Sequence, residues 1–198
     1  MKIFSTEHTF KHPWDRVSIA NWMKYPNGHA PHVVHVDYLS RHVSPTGVLH
    51  TERLLTCRQN VPAFLSRLFG GEDSSLFYER SEVDPSGRTL TLRSRNLTFC
   101  NLIVVEETCV YGAEGEGTVM RQEARIKSVT GWTHLRNAME EFCVSRFCAN
   151  AQKGRVALEH AIEKIYEGTK EQVLEKLARF DKDTTDLDSL AATVAETS

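Results

Sequence analysis

The sequence predicts an α+β protein: a curved antiparallel sheet of about seven strands, with a short N-terminal helix and a long C-terminal helix enclosing a cavity. Three observations lead there. All six prolines lie in the first 85 of the 198 residues, which marks that part as turn-rich. Between Val33 and Val129, β-rich runs alternate with turn sequences. From Gly131 onward the apolar period becomes helical, with no proline to stop it.

The elements follow in order. Lys2–Phe10 alternates as a strand does. His12-Pro13-Trp14-Asp15 opens a helix, with Pro13 close to the position where a missing N–H does no harm. Trp14, Val17, Ile19, Trp22 and Met23 give it an apolar side, and it ends before Pro26. Val33–Val43 and Val48–Arg58 are strands joined by Ser44-Pro45-Thr46-Gly47. Leu76–Val83 and Arg88–Thr98 are joined by Asp84-Pro85-Ser86-Gly87, and Asn101–Tyr111 and Thr118–Val129 flank the Gly-rich 112–117. The long helix presents Leu135, Ala138, Phe142, Phe147, Ala151, Leu158, Ile162 and Ile165 on one face. Gly154 and Gly168 are its weak points, and the pattern reaches about Phe180. A long helix across a curved sheet typically leaves space between them for an apolar ligand.

Composition narrows the function. The net charge of -2 conceals a gradient: residues 181–198 hold five acids and one base, which leaves residues 1–180 at +2. That balance argues against a generally basic nucleic-acid binder. No apolar run approaches the roughly 20 residues that cross a bilayer, and the N-terminus has neither a secretory core nor transit-peptide character. Residues 169–198 read as a helical or flexible acidic extension of a domain spanning 1–168. Five cysteines without C-x-x-C spacing argue against a disulfide framework, and most of them read as small buried hydrophobes. There is no P-loop, G-x-G-x-x-G or G-x-S-x-G, and no carboxylate pairs with a histidine as an active site would need, so no catalytic residue is assigned and the chain reads as a non-enzyme. Asn96-Leu97-Thr98 is a glycosylation sequon by letter only, because it falls within a strand.

Four features could bind something. His29, His32 and His35 repeat every third residue, but Pro26, Gly28 and Pro31 forbid a helix there, and spacing three alternates faces in a strand. No metal site is expected, and His32 suits a turn histidine that contacts an anion. Arg53 shares its parity with Leu49, Thr51, Leu55 and Cys57, an apolar set that aims it inward. A buried guanidinium requires an anion: a glutamate on a neighbouring strand, or a ligand. Met139, Phe142, Arg146, Asn150, Lys153, Ala157 and Ala161 form a stripe on the long helix, polar and cationic in the middle. It fits a solvated edge and a phosphate site equally. The segment Val61–Gly71 carries Val61, Phe64, Leu65, Leu68 and Phe69 beside Pro62. It reads as a short capping helix, a mobile apolar lid, or a segment that dips into a membrane surface.

Several stretches together resemble the PRELI-domain family (PRELI/Slowmo). They are Lys24-Tyr25-Pro26-Asn27, Pro31-His32-Val33-Val34 with Val36-Asp37, Thr51-Glu52-Arg53-Leu54-Leu55, Ser81-Glu82-Val83-Asp84-Pro85, Arg95-Asn96-Leu97-Thr98, and Arg146-Phe147 with Asn150-Ala151 and Lys153-Gly154. The resemblance covers residues 1–168. It implies a phospholipid-transfer protein of the mitochondrial intermembrane space, with a lipid cavity under the sheet and no cofactor beyond its phospholipid cargo. It also implies a heterodimer with a small helical-hairpin protein bearing twin Cys-x9-Cys motifs, and transient contact with anionic mitochondrial membranes. The headgroup-contacting positions fall on Lys24, His32, Arg53, Arg146, Asn150 and Lys153, and the lid on Val61–Gly71.

Asn96–Leu102, with Met1-Lys2-Ile3-Phe4 and His12-Pro13-Trp14-Asp15, looks like the Slowmo branch, which moves phosphatidylserine. Thr56, Cys57 and Asn60 stand where carriers of phosphatidic acid tend to have basic residues, which fits a less anionic headgroup. Transfer of phosphatidic acid by the same mechanism, and a non-transferring scaffold module, are the alternatives.

Overall fold

The computed structural model describes residues 1–58, 74–129, 131 and 133–167. In chain order they form β1 (Lys2–Phe10), α1 (Trp14–Trp22), β2 (Val33–Val43), β3 (Leu49–Arg58), β4 (Ser74–Asp84), β5 (Thr89–Asn96), β6 (Ile103–Glu114), β7 (Gly117–Ser128) and α2 (Thr133–Glu167). The expected lid at 61–71, the extension at 169–198 and the helix's continuation towards Phe180 lie outside the described residues.

The seven strands make one curved sheet in the order β1-β7-β6-β5-β4-β3-β2. Every neighbouring pair is antiparallel. Strands β2 to β7 are a plain meander, as the turn sequences predict. The first strand returns to the far edge, where Lys2 to Phe10 pair with Ile126 to Thr118 of the last.

Local chemistry explains the corners. Gly47 takes the left-handed φ of 81° that closes β2 onto β3, and its N–H donates to the Ser44 carbonyl at 2.9 Å. At the β4–β5 turn the Ser86 N–H donates to Asp84 Oδ1 at 2.9 Å. Between β5 and β6, Asn96 fixes the backbone on both sides. Its Nδ2 donates to the carbonyls of Thr98 and Ile103 at 2.8 and 2.9 Å, and its Oδ1 accepts from the Val105 N–H at 2.8 Å. A buried amide so engaged is a structural clamp, not a glycan acceptor.

In α1 the Pro13 carbonyl accepts the first helical N–H groups, from Arg16 and Val17. Trp14, Val17 and Trp22 are buried as expected, but Ile19 is 38% exposed. At 100° per residue Ile19 falls on the opposite side from Trp14, and Ser18 and Asn21 occupy the inward positions instead.

Two apolar clusters hold the helices on the sheet. Near α1, Phe10, Trp14, Val17, Leu90, Tyr111 and Met120 pack with Leu158 and Ile162 of α2. Towards the start of α2, Met139, Phe142 and Phe147 pack on Ile103, Val105 and Ile126. Between these two packed ends the inward positions of α2 are Arg146, Asn150, Ala151, Gly154 and Arg155. None is a bulky apolar side chain that could fill the gap, so the middle stays open.

Candidate functional site

The gap is a cavity of about 220 Å³ between sheet and helix. Its floor is set by strand register. Arg53 of β3 faces Glu79 of β4, Glu79 faces Ser94 of β5, and Ser94 faces Glu107 of β6. All four side chains line the cavity. A polar row therefore crosses four strands on the face that would otherwise be core. Leu55, Phe77 and Val105 flank it on one side, and Leu92, Cys109 and Met120 on the other.

Arg53 Nε donates to Glu79 Oε1 at 2.6 Å, with both side chains buried. The two alternatives left by the sequence are thus partly resolved: a strand neighbour supplies the anion, in a position that still borders the cavity. The guanidinium also lies 5.4 Å from the centre of the Trp22 ring. Burial alone would lower the pKa of Arg53, but Glu79 outweighs it and holds the group charged beyond the ordinary arginine.

Lys24 enters from the segment after α1. Asn27 Nδ2 donates to the Ala157 carbonyl at 3.0 Å, tying that segment to α2. The Lys24 ammonium lies 3.3 Å from the point a Cβ on Gly154 would occupy. A glycine read from sequence as a weak point of the helix is therefore the notch through which Lys24 reaches the cavity. Burial opposes the Lys24 charge, yet Tyr25, Cys109, Glu107 and Glu79 together hold its pKa above the ordinary value.

His32 also borders the cavity. Burial, with the charges of Lys153 and Lys24, lowers it to about 4, so the ring is neutral at pH 7. Its Nδ1 has no hydrogen-bond partner among the described residues. The three spaced histidines diverge: His29 stacks edge-on against His160, and His35 pairs with Asp37 at 2.8 Å.

Arg146 and Asn150 line the cavity, whereas Lys153 is exposed and does not. The helix explains it. Positions 146, 150 and 154 follow one another at i+4 down the inward face, so Gly154 takes the place the spacing gave to Lys153. The charge of Lys153 nevertheless helps to lower the pKa of His32. Of the lysine-replacing positions, Cys57 lines the cavity and Thr56 does not, while Asn60 lies outside the described residues. The cysteines carry no disulfide, and burial pushes the thiols of Cys57, Cys109 and Cys143 up to about 12.

The sequence reading did not identify Glu79, Glu107, Asn21, Gln122 or Arg155, all of which line the cavity. Parity carried the signal for two of them. Glu107 alternates in step with Val105, Cys109 and Tyr111, and Gln122 with Met120, Ala124 and Ile126. Glu107 Oε1 accepts from Gln122 Nε2 at 2.6 Å and Oε2 from Ser94 Oγ at 3.2 Å. Burial raises the pKa of Glu107, partly offset by the hydrogen bond from Gln122. Asn21 is only 1% exposed, and neither its oxygen nor its nitrogen has a partner among the described residues. Arg155 adds a fourth cation to Lys24, Arg53 and Arg146, against the two carboxylates, so the lining carries a formal excess of positive charge.

Fold and site define a class: a sheet-and-helix protein that keeps a polar-floored, apolar-walled cavity where a filled core would otherwise be. The chain belongs to the PRELI-like family, which its residues 15–168 match. It is 44% identical over 167 residues to the UPS-like protein C36.10 of Schizosaccharomyces pombe, covering 83% of this chain and 91% of that protein. It is 40% identical to the mitochondrial protein UPS2 of Saccharomyces cerevisiae over 87% of this chain and 77% of that one. The slowmo homolog of Dictyostelium discoideum is 38% identical over 94% of this chain and 81% of its own. Among solved structures, TTHA0849 from Thermus thermophilus superposes with a TM-score of 0.56 at 16% identity, over 83% of this chain and 99% of that one. The Zhui aromatase/cyclase of a Streptomyces species gives 0.52 at 14%, over 83% and 95%. At such identities the likeness is one of fold alone.

Proposed function

We propose that this protein is a non-enzymatic phospholipid carrier that moves phosphatidylserine between the outer and inner mitochondrial membranes. In this reading it works in the intermembrane space as a heterodimer with a small twin-Cys-x9-Cys helical hairpin. Membership of the PRELI-like family and the mitochondrial relative UPS2 support the coarser part, lipid transport in mitochondria.

The observation that carries the reading is one cavity with two kinds of wall. Ile103, Val105, Phe142 and Phe147 offer an apolar surface, and Lys24, Arg53 and Arg146 offer cations in the same space. An amphiphile with an anionic head matches both. Each methylene withdrawn from water contributes about 0.8 kcal/mol, and phosphate oxygens suit a guanidinium fork and an ammonium. His32 and Asn150 add neutral hydrogen-bonding groups at the lining, and Lys153 a cation whose charge reaches His32. At about 220 Å³ the cavity is smaller than the roughly 300–1,000 Å³ usual for drug-sized ligands. A two-chain lipid therefore requires its walls to part, and residues 61–71 are proposed as the lid that does so at the membrane. Cys57, an uncharged side chain in the lining where the resemblance puts a basic residue in carriers of phosphatidic acid, favours phosphatidylserine over that more anionic lipid.

Native mass spectrometry of the purified protein tests this. A co-bound phospholipid that leaves on delipidation and returns from vesicles is the expected result. A chain that stays empty beside phospholipid vesicles, with its partner present, would refute the reading.

A further inference from the structure

We infer that Glu107 is the subsite for the ammonium group of an amino-phospholipid, and hence the residue by which this carrier tells such lipids from phosphatidic acid. The inference rests on the carrier reading and adds the group that sets its specificity.

The cavity floor carries an imbalance of charge. Two carboxylates, Glu79 and Glu107, stand in one register row with Ser94 between them. Strands lie about 4.8 Å apart, so the backbones of these two residues are separated by roughly 10 Å. Glu79 is neutralised by Arg53 at 2.6 Å. Glu107 has no cation within ion-pair distance among the described residues. Its donors are the neutral amide of Gln122 and hydroxyl of Ser94, one to each oxygen. An ionised carboxylate accepts about four hydrogen bonds, so capacity remains on both oxygens. A half-buried carboxylate on a cavity wall, without a counter-ion, is costly unless a ligand supplies one.

A second observation points the same way. The Asn21 amide lines this cavity, is 1% exposed, and has no partner at either polar atom among the described residues. Gln122, which holds Glu107, likewise leaves its Oε1 unpartnered. The lining therefore carries hydrogen-bonding capacity that the described protein does not use.

The arrangement of charge selects the ligand. Lys24 and Glu107 act on each other electrostatically across the cavity but do not form an ion pair. A headgroup bearing both signs can bridge them, phosphate towards Lys24 and ammonium towards Glu107. Phosphatidic acid presents only anionic oxygens, which Glu107 repels. Glu107 contacts the amine alone, so phosphatidylethanolamine meets it as phosphatidylserine does.

The test uses the full chain with its partner and compares uptake of phosphatidylserine from vesicles with uptake of an analogue whose amino group is replaced by hydroxyl. The wild type should favour the amine about tenfold or more, the scale of a charged hydrogen bond. Glu107→Gln, which keeps the shape of the side chain, should reduce that preference below about threefold. Equal uptake of amine and analogue by the wild type would overturn the inference without any variant. So would a Glu107→Gln protein that keeps the wild-type preference, even at lower total uptake. A wild type that takes up neither lipid would instead sink the carrier reading itself, and the subsite with it.

Discussion

Arg53 Nε stands 2.6 Å from Glu79 Oε1, on directly paired positions of β3 and β4, and both side chains are buried on the cavity floor. The pair makes a cation tolerable on the cavity floor. Removing one partner strands the other, so Arg53→Met and Glu79→Leu, each made alone, should destabilise the protein by about 3–5 kcal/mol. The double variant Arg53→Met/Glu79→Leu should lie closer to wild type than either single change, yet take up no phospholipid. Urea unfolding of the four proteins checks the first part, and lipid uptake the second.

Gly154 is a test of position rather than charge. Alanine is the better helix residue by about 1 kcal/mol, so Gly154→Ala should keep or raise stability. The new methyl would stand 3.3 Å from the Lys24 ammonium and push it from the notch. Lipid uptake should fall several-fold while the melting temperature holds. Unchanged uptake would show that Lys24 does not need that seat.

Asn21 buries an amide with no partner among the described residues, which is unfavourable by about 1–3 kcal/mol in the empty protein. Asn21→Leu should therefore raise the unfolding free energy and lower lipid uptake together. A loss of stability would mean that the amide serves the fold.

Asn96 plays the opposite part. Its three hydrogen bonds join the end of β5 to Thr98, Ile103 and Val105. Asn96→Ala leaves all three partners unsatisfied and should destabilise by about 3 kcal/mol, read by urea unfolding.

His32 couples stability to pH. Its folded pKa is about 4, against about 6.5 in an unfolded chain. Below about pH 6.5 the unfolded chain takes up a proton that the folded one refuses until near pH 4. The contribution is therefore complete above about pH 6.5 and is lost as pH falls towards 4. Screening at this half-buried ring limits the loss to about 1–2 kcal/mol. His32→Asn should remove that difference between unfolding at about pH 7 and at about pH 4.5.

Much of this was readable in the letters. Asp84-Pro85-Ser86-Gly87 and Ser44-Pro45-Thr46-Gly47 placed two hairpins because turn chemistry is local. The inward aim of Arg53 followed from alternation, since a strand has only two faces. What a single strand cannot report is its partner, so the glutamate offered as the anion for Arg53 could not be named as Glu79, and the return of β1 to β7 was not visible. Lys153 was misplaced towards the cavity because a stripe one position wide admits either 153 or 154 at a helix edge, and the contact between Lys24 and Gly154 decides between them. Glu107 went unread although its parity is that of Val105 and Cys109. An acid among apolar neighbours is informative when nothing beside it is basic.

The central claim is that the cavity carries phospholipid between membranes. Its most direct measurement is transfer of labelled phosphatidylserine from donor to acceptor vesicles by the wild-type heterodimer. The account predicts transfer that saturates with protein and collapses when Arg53 and Lys24 are both replaced by glutamine in a protein that still folds. No acceleration over the protein-free rate, for phosphatidylserine or phosphatidic acid, would contradict it.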